Sequence, residues 1–178
     1  RDKNYHSVED LNNAKVYDAA AKFISDNEIE IEAGDGSKEV LSADKIFVNT
    51  GAESIIPPVE GDINSDKVYT STTLIEEWVL PDKLTIVGGG YIGLEFAAMY
   101  NAFGSEVSVI VPDDELMKAE DSDIRAEITK DMKESGINFF FGERAEKVTE
   151  EDSSKITVTL SDGRDVTSNA VLFATGRK

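Results

Sequence analysis

Cysteine is absent from the 178 residues, which removes disulfides, thiolate metal sites and a cysteine nucleophile from what this chain can supply. Histidine occurs once, as His6, and reads as a surface side chain; no metal ligands are nominated. Basic residues are scarce, 18 against 36 acidic, for a formal net charge of −18. A surface of that sign repels phosphate backbones and argues against nucleic acid as a partner; its plainest consequence is solubility. No apolar run approaches the roughly eighteen residues needed to cross a membrane. The opening Arg1-Asp2-Lys3-Asn4 lacks the apolar core of a signal peptide, so the expectation is a cytoplasmic protein with no membrane partner. The chain does not begin with Met and stops at Gly176-Arg177-Lys178 behind an apolar run, which reads as a piece of something longer. At 40% hydrophobic and 30% charged, the composition is that of a globular protein of one domain or two small ones.

Two styles of sequence meet near residue 75. In the first, short β-like runs alternate with turn signals. Lys15 to Ile24 leaves strand and helix both open, whereas Ile29-Glu30-Ile31-Glu32 alternates as a half-buried strand does. Asp35-Gly36 marks a tight turn before a return strand at Glu39-Val40-Leu41, and Lys45 to Val48 reads as a short apolar strand. Pro57, Pro58 and Gly61 then give a connector to about Tyr69. In the second style, strand and helix alternate. Leu84 to Val87 and Val107 to Val111 are apolar strands, and Ile92, Phe96, Met99 and Tyr100 lie on one helical stripe that Gly104 closes. Asp121 to Ser135 carries Ile124, Ile128 and Met132 at helical spacing, with Gly136 as its stop. A strand at Ile137 to Phe141, a β meander turning at Asp162-Gly163, and a last strand at Val171 to Ala174 complete the pattern. Strands and helices alternating at this spacing imply a parallel sheet with right-handed crossovers.

Gly88, Gly90 and Gly93 stand directly behind the first of these strands and open its helix, the context that gives a GxGxxG pattern meaning. Gly88 permits the tight turn, Gly90 lets backbone approach a pyrophosphate, and Gly93 lets helix pack on strand. The free N–H groups and dipole of the helix start then hold phosphate. The second strand should end in the residue that reads the adenosine ribose. Here Val111-Pro112 intervenes, and Asp113, at about the expected 20-residue offset, is followed by Asp114 and Glu115, with Lys118 the closest base. An acidic cluster disfavours a 2′-phosphate.

Leu84 to Tyr100 as a whole resembles the nicotinamide-domain signature of the FAD-dependent pyridine nucleotide–disulfide oxidoreductases, which include dihydrolipoamide dehydrogenase, glutathione reductase and mercuric reductase. Val48-Asn49-Thr50-Gly51-Ala52, with Pro57 and Gly61 behind it, and Leu172 to Arg177 resemble the two segments by which such chains pass between FAD and NAD domains. The resemblance implies an α/β chain: a β-rich partial FAD-binding domain and connector at 1–75, then a Rossmann-like NAD(P)-binding domain at 76–178, a parallel sheet with helices on both faces plus a β meander. It implies that Thr50, Gly51 and Ala52 lie against FAD, and that Gly88, Gly89, Gly90, Tyr91, Ile92 and Gly93 form the pyrophosphate loop. Tyr91 matches an aromatic gate over the nicotinamide pocket, and Glu95 a carboxylate near the flavin that pairs with a lysine of the FAD domain. Gly176 matches a position near the nicotinamide half, and Ala145 one near the adenine. Val111 stands where NADH-dependent members often carry an acid, so NADH and NADPH both stay open, with NAD(H) favoured over NADP(H).

The family's FAD fingerprint and Cys-x4-Cys pair would lie upstream of Arg1, and its dimerisation domain with a His-Glu pair downstream of Lys178. No residue here is therefore nominated as catalytic, and the fragment alone is expected to be inactive. The implied parent is a homodimeric flavoprotein of cell redox homeostasis, passing hydride from nicotinamide to FAD and electrons on to a disulfide. Alternatives are an NADH oxidase or ferredoxin-reductase-like flavoprotein, or a non-catalytic nucleotide-binding module.

Overall fold

The computed structural model describes residues 2–78 and 80–178, with side chains from residue 6 onward. The chain separates into two compact units, residues 1–50 and 51–178.

The first unit carries helix α1 (Asp2–Glu9) and strands β1 (Ala19–Phe23), β2 (Glu28–Ala33) and β3 (Lys38–Ser42) in one antiparallel sheet of order β1-β2-β3. The segment left open between strand and helix, Lys15 to Ile24, thus forms a strand over its second half. The Asp35-Gly36 turn is present: Gly36 has φ +82° and its N–H reaches Ala33 O at 2.9 Å. The strand expected at Lys45 to Val48 does not form. Residues 43–50 carry no strand, Phe47 is 88% exposed, and an apolar run becomes a strand only against a partner edge and a covering layer.

In the second unit, β4 (Glu60–Gly61), β5 (Val68–Thr70) and α2 (Ser71–Leu74) precede β6 (Lys83–Val87), α3 (Tyr91–Phe103), β7 (Glu106–Val111), α4 (Ser122–Glu134) and β8 (Asn138–Phe141). Strands β9 (Ala145–Glu150), β10 (Ile156–Leu160) and β11 (Asp165–Ser168) form the expected meander, and β12 (Ala170–Phe173) closes the unit. A five-stranded sheet runs β5-β12-β6-β7-β8, every pairing parallel. Val68, Tyr69 and Thr70 thereby join it, Val68 pairing with Val171 in register. A second sheet runs β11-β10-β9-β4.

Alternate residues of the central strands feed two cores. Leu84, Ile86, Val107, Val109, Val111 and Leu172 pack with Leu94, Phe96, Ala97 and Tyr100 of α3, with Met132 of α4 against them. Val87, Ile110, Val171 and Phe173 pack instead with Val148, Ile156, Val158 and Leu160 of the antiparallel sheet. Where helices were expected on both faces, α3 and α4 share one face and the meander covers the other. The α4 stripe is only partly buried, and Ile124 is 50% exposed. Helix ends follow the sequence signals. Gly104 takes φ +104° and donates to Asn101 O at 3.0 Å, while beyond α4 Gly136 takes φ +97°, left-handed stops that glycine adopts without a Cβ penalty.

Candidate functional site

The parallel order brings the C-terminal ends of β12, β6 and β7 side by side, the edge of an open α/β sheet where ligands bind. A cavity of about 630 Å³ opens there. Its floor is Val87 to Ile92; one flank is Ala174, Thr175 and Gly176 after β12, and the other Val111, Pro112, Asp113, Glu115, Met117 and Lys118 after β7. Glu143, Arg144 and Ala145 close the β8–β9 side, with Pro57 and Pro58 as a further wall.

The three fingerprint glycines stand in three different environments. Gly88 has φ +120°, and a Cβ on it would sit 2.5 Å from Ala174 O; its N–H donates to Ile110 O at 2.9 Å, pinning the turn over β7. A Cβ on Gly93 would sit 2.1 Å from Gly88 O, so only glycine lets α3 approach the turn this closely. Around Gly90 nothing lies within 4 Å of that position. Gly90 is the N-cap of α3, its carbonyl accepts from Leu94 N at 3.0 Å, and no side chain caps the helix. The N–H groups of Gly90, Tyr91 and Ile92 make no hydrogen bond among the described residues. Orphan donors, an open approach and the positive end of the dipole are features that favour negative charge at this helix start. Gly89 sits against Val111, a Cβ there meeting Val111 Cγ2 at 2.9 Å.

Val111 is 2% exposed and packs in the core, so its apolar side chain offers no hydrogen bond to a ligand. Asp113 is the first carboxylate on that flank. Lys118 Nζ lies 2.9 Å from Asp113 Oδ1 and 3.1 Å from Asp114 Oδ1. These bonds, Asp113 first, raise the Lys118 ammonium above its ordinary range, and the Lys118 bond lowers Asp114. Glu115 is paired with Arg125. Glu143 accepts from Ser161 Oγ at 2.6 Å and Asp162 N at 3.2 Å. The β8–β9 turn is held to the end of β7 by Gly142 N to Asp113 O, 2.9 Å, and Glu143 N to Val111 O, 3.1 Å, which brings Ala145 to the cleft. Tyr91 is 58% exposed; its hydroxyl donates to Glu120, and this bond pushes the phenol up.

The structure therefore gathers Gly88, Gly89, Gly90, Tyr91, Ile92, Val111, Asp113, Ala145 and Gly176 around one cavity. Gly93 supports it from behind, and Glu95 is an exposed residue of α3 outside the lining. Thr50 belongs to the first unit. Gly51 and Ala52 lie away from the cavity, at a crossing where Arg177 Nη2 donates to Ala52 O at 2.6 Å and Glu53 exchanges backbone bonds of 2.8 and 2.9 Å with Lys178. Sequence reasoning passed over Pro57, Pro58, Met117, Glu143, Arg144 and Thr175 as lining. The rule that ligands sit beyond the carboxyl ends of strands points to Thr175 after β12 and to Glu143-Arg144 after β8.

The family model for pyridine nucleotide-disulphide oxidoreductases matches residues 2–178. The probable pyridine nucleotide-disulfide oxidoreductase RclA of Escherichia coli (strain K12) is 33% identical over 178 residues, 100% of this chain and 40% of that protein. Mercuric reductase of Lysinibacillus sphaericus is 34% identical over 180 residues, again 100% of this chain and 32% of the relative. The solved structure of the HOCl-induced flavoprotein disulfide reductase RclA from Escherichia coli superposes with a TM-score of 0.84 at 32% identity, covering 100% of this chain and 40% of that one. The chain thus spans less than half the length of these relatives. Matched from residue 2 to its last residue, it belongs to the pyridine nucleotide-disulphide oxidoreductase family.

Proposed function

We propose that the cleft binds NAD(P)H stretched across β12, β6 and β7, as part of a cytoplasmic flavin-dependent disulfide oxidoreductase. The single observation that carries this is the start of α3: three orphan N–H groups behind a glycine whose Cβ position is open. The residues fit the group. Gly90, Tyr91 and Ile92 offer donors for the pyrophosphate, Asp113 stands on the adenosine flank, and Gly176 lets the backbone approach the other half. The acidic surroundings of Lys118, with Asp113 and Asp114 both in contact, compete with a 2′-phosphate, so NADH is favoured over NADPH. When bound, the nicotinamide supplies a hydride to the FAD of the parent, and the protein's part is to hold and orient. Glu95 is proposed to face that flavin and Thr50, Gly51 and Ala52 to lie against it, with residues 1–50 and the crossing at 51–55 as the FAD-side portion. The parent is proposed to be a homodimer.

Side-by-side calorimetric titration with NADH and NADPH tests this. One NADH site is expected, with NADPH weaker, and Gly90→Val should weaken NADH by at least about 100-fold while leaving the melting temperature in place. Unchanged NADH affinity in Gly90→Val refutes the assignment of the loop. Stoichiometric FAD retained by the purified chain refutes the view that the flavin site needs the rest of the parent.

A further inference from the structure

Tyr91 is the first residue of α3, directly after the orphan N–H of Gly90, and it lines the cleft while remaining 58% exposed. Its hydroxyl is tied to Glu120, 29 residues further along the chain. Glu120 is itself placed with care. Its N–H closes a turn on Met117 O at 2.8 Å, and Met117 is the only non-glycine residue with positive φ among the described residues, at 46°. A left-handed side-chain-bearing residue persists only when its surroundings impose it, and Met117 is held by packing against the helix-side core. A strained turn in the wall of a cleft therefore presents one carboxylate to one tyrosine.

The strand order gives this bond a direction. Strand β6 lies between β12 and β7, so Gly176 and the Asp113–Glu120 loop emerge on opposite sides of the glycine turn. The adenosine half of a dinucleotide belongs at the end of the second strand, here β7, which leaves the Gly176 side to the other half. Tyr91 stands at the junction. Tyr91 and Gly176 line the same cavity, and the hydroxyl bond to Glu120 ties the Tyr91 side chain to the loop after β7.

We propose that Glu120 is a positioning residue that holds the Tyr91 ring at the β7 side and so keeps the Gly176 side of the cleft clear for the nicotinamide half. This rests on the dinucleotide reading of the cleft and adds to it the residue that controls access.

The test is calorimetry of NADH and of ADP-ribose, which lacks the nicotinamide, on the wild-type chain and on Glu120→Ala, Glu120→Gln, Tyr91→Phe, Tyr91→Ala and the double variant Glu120→Ala/Tyr91→Ala. Loss of one hydrogen bond should raise the NADH Kd roughly threefold to tenfold in Glu120→Ala and Tyr91→Phe, with ADP-ribose unaltered. Glu120→Gln keeps an acceptor oxygen and should stay near wild type. The double variant should match Tyr91→Ala, because without the ring there is nothing to hold. Equal weakening of NADH and ADP-ribose in Glu120→Ala, unaltered NADH affinity there, or a double variant weaker than Tyr91→Ala each overturns the proposal. A wild-type chain that binds neither ligand overturns the dinucleotide reading and this proposal with it, whereas ordinary wild-type binding with any of the other results overturns this proposal alone.

Discussion

The two units were reached by the same rule of apolar periodicity, yet they stand on different footings. In residues 51–178 each central strand is buried on both sides: Ile86 and Val109 face the helices, Val87 and Ile110 face the antiparallel sheet, and all four are at most 5% exposed. In residues 1–50, Ile31 is the one buried hydrophobic among the described residues, while Phe23 and Val40 remain about half exposed, at 50% and 53%. Alternation is enough to make a strand and pair it; a core needs a second layer over the face. One unit carries two such layers around its sheet, and the other has paired strands with little to bury.

That contrast can be broken by substitution. Ile86→Ala should cost about 4 kcal/mol, within the range for a fully buried aliphatic chain, and lower the unfolding midpoint of residues 51–178 by roughly 10 °C. Ile31→Ala should leave that transition in place and speed amide exchange only in β1 to β3. A common shift of both units in either variant, followed by hydrogen exchange, would show that stability is shared and that the contrast is wrong. Next in size comes Gly93→Ala, whose added Cβ meets Gly88 O at 2.1 Å and should cost about 3 kcal/mol by overpacking. Gly90→Ala, with open space around it, should cost far less by thermal melting. Equal losses at the two glycines would contradict the division between support and ligand face.

How much of this was legible depends on how local the cause was. The β6–turn–α3 unit was written in the sequence by its spacing: Gly93 and Gly104 answer constraints set by Gly88 and Asn101 a few positions away, whereas the contacts of Gly88 with Ala174 and Ile110 come from other strands. So were the turns at Gly36 and Gly163. The short strand β5 was not: Val68-Tyr69-Thr70 is too brief to show a period, and only β12, a hundred residues later, makes it a strand. Lys45 to Val48 failed in the opposite sense, apolar and β-prone but without a partner edge among the described residues. Helices on both faces were expected from strand–helix alternation, and the meander took one face because Val148, Ile156, Val158 and Leu160 supply a continuous apolar surface. In the cleft, the residues in the glycine motif were found by spacing. Glu120 and Met117 were invisible, since neither belongs to a motif and their meaning comes from a turn and a partner on another element.

Ligand linkage sharpens the same contrast. NADH at about 100 times its Kd should add about 2.7 kcal/mol to the unit that binds it, seen as slower exchange at the Gly88–Ile92 turn and the β7 end. Strands β1 to β3 should exchange at their former rate. Protection of β1 to β3 equal to that of β6 and β7 would place ligand energy in the wrong unit.

The smallest effect concerns acid. Lys67, only 15% exposed along its side chain, pairs with Glu150 at the end of β9, and this bond, followed by one from Ser65, holds the Glu150 carboxyl below its ordinary value. A depressed carboxylate contributes stability that is present above its unfolded pKa and is lost as pH falls through the lowered native one. In the first unit Asp35 is lowered as well, but by the Ser37 side chain and backbone within its own turn. Glu150→Gln should therefore flatten the acid limb of the melting curve of residues 51–178, the two curves converging once the pH has fallen below the lowered native value of Glu150. Asp35→Asn should leave that limb unaltered, because its bonds close a turn and join no two strands of the larger unit. Parallel curves for wild type and Glu150→Gln across the acid range would show that the Lys67 pair is merely a surface contact, worth as little as most exposed ion pairs.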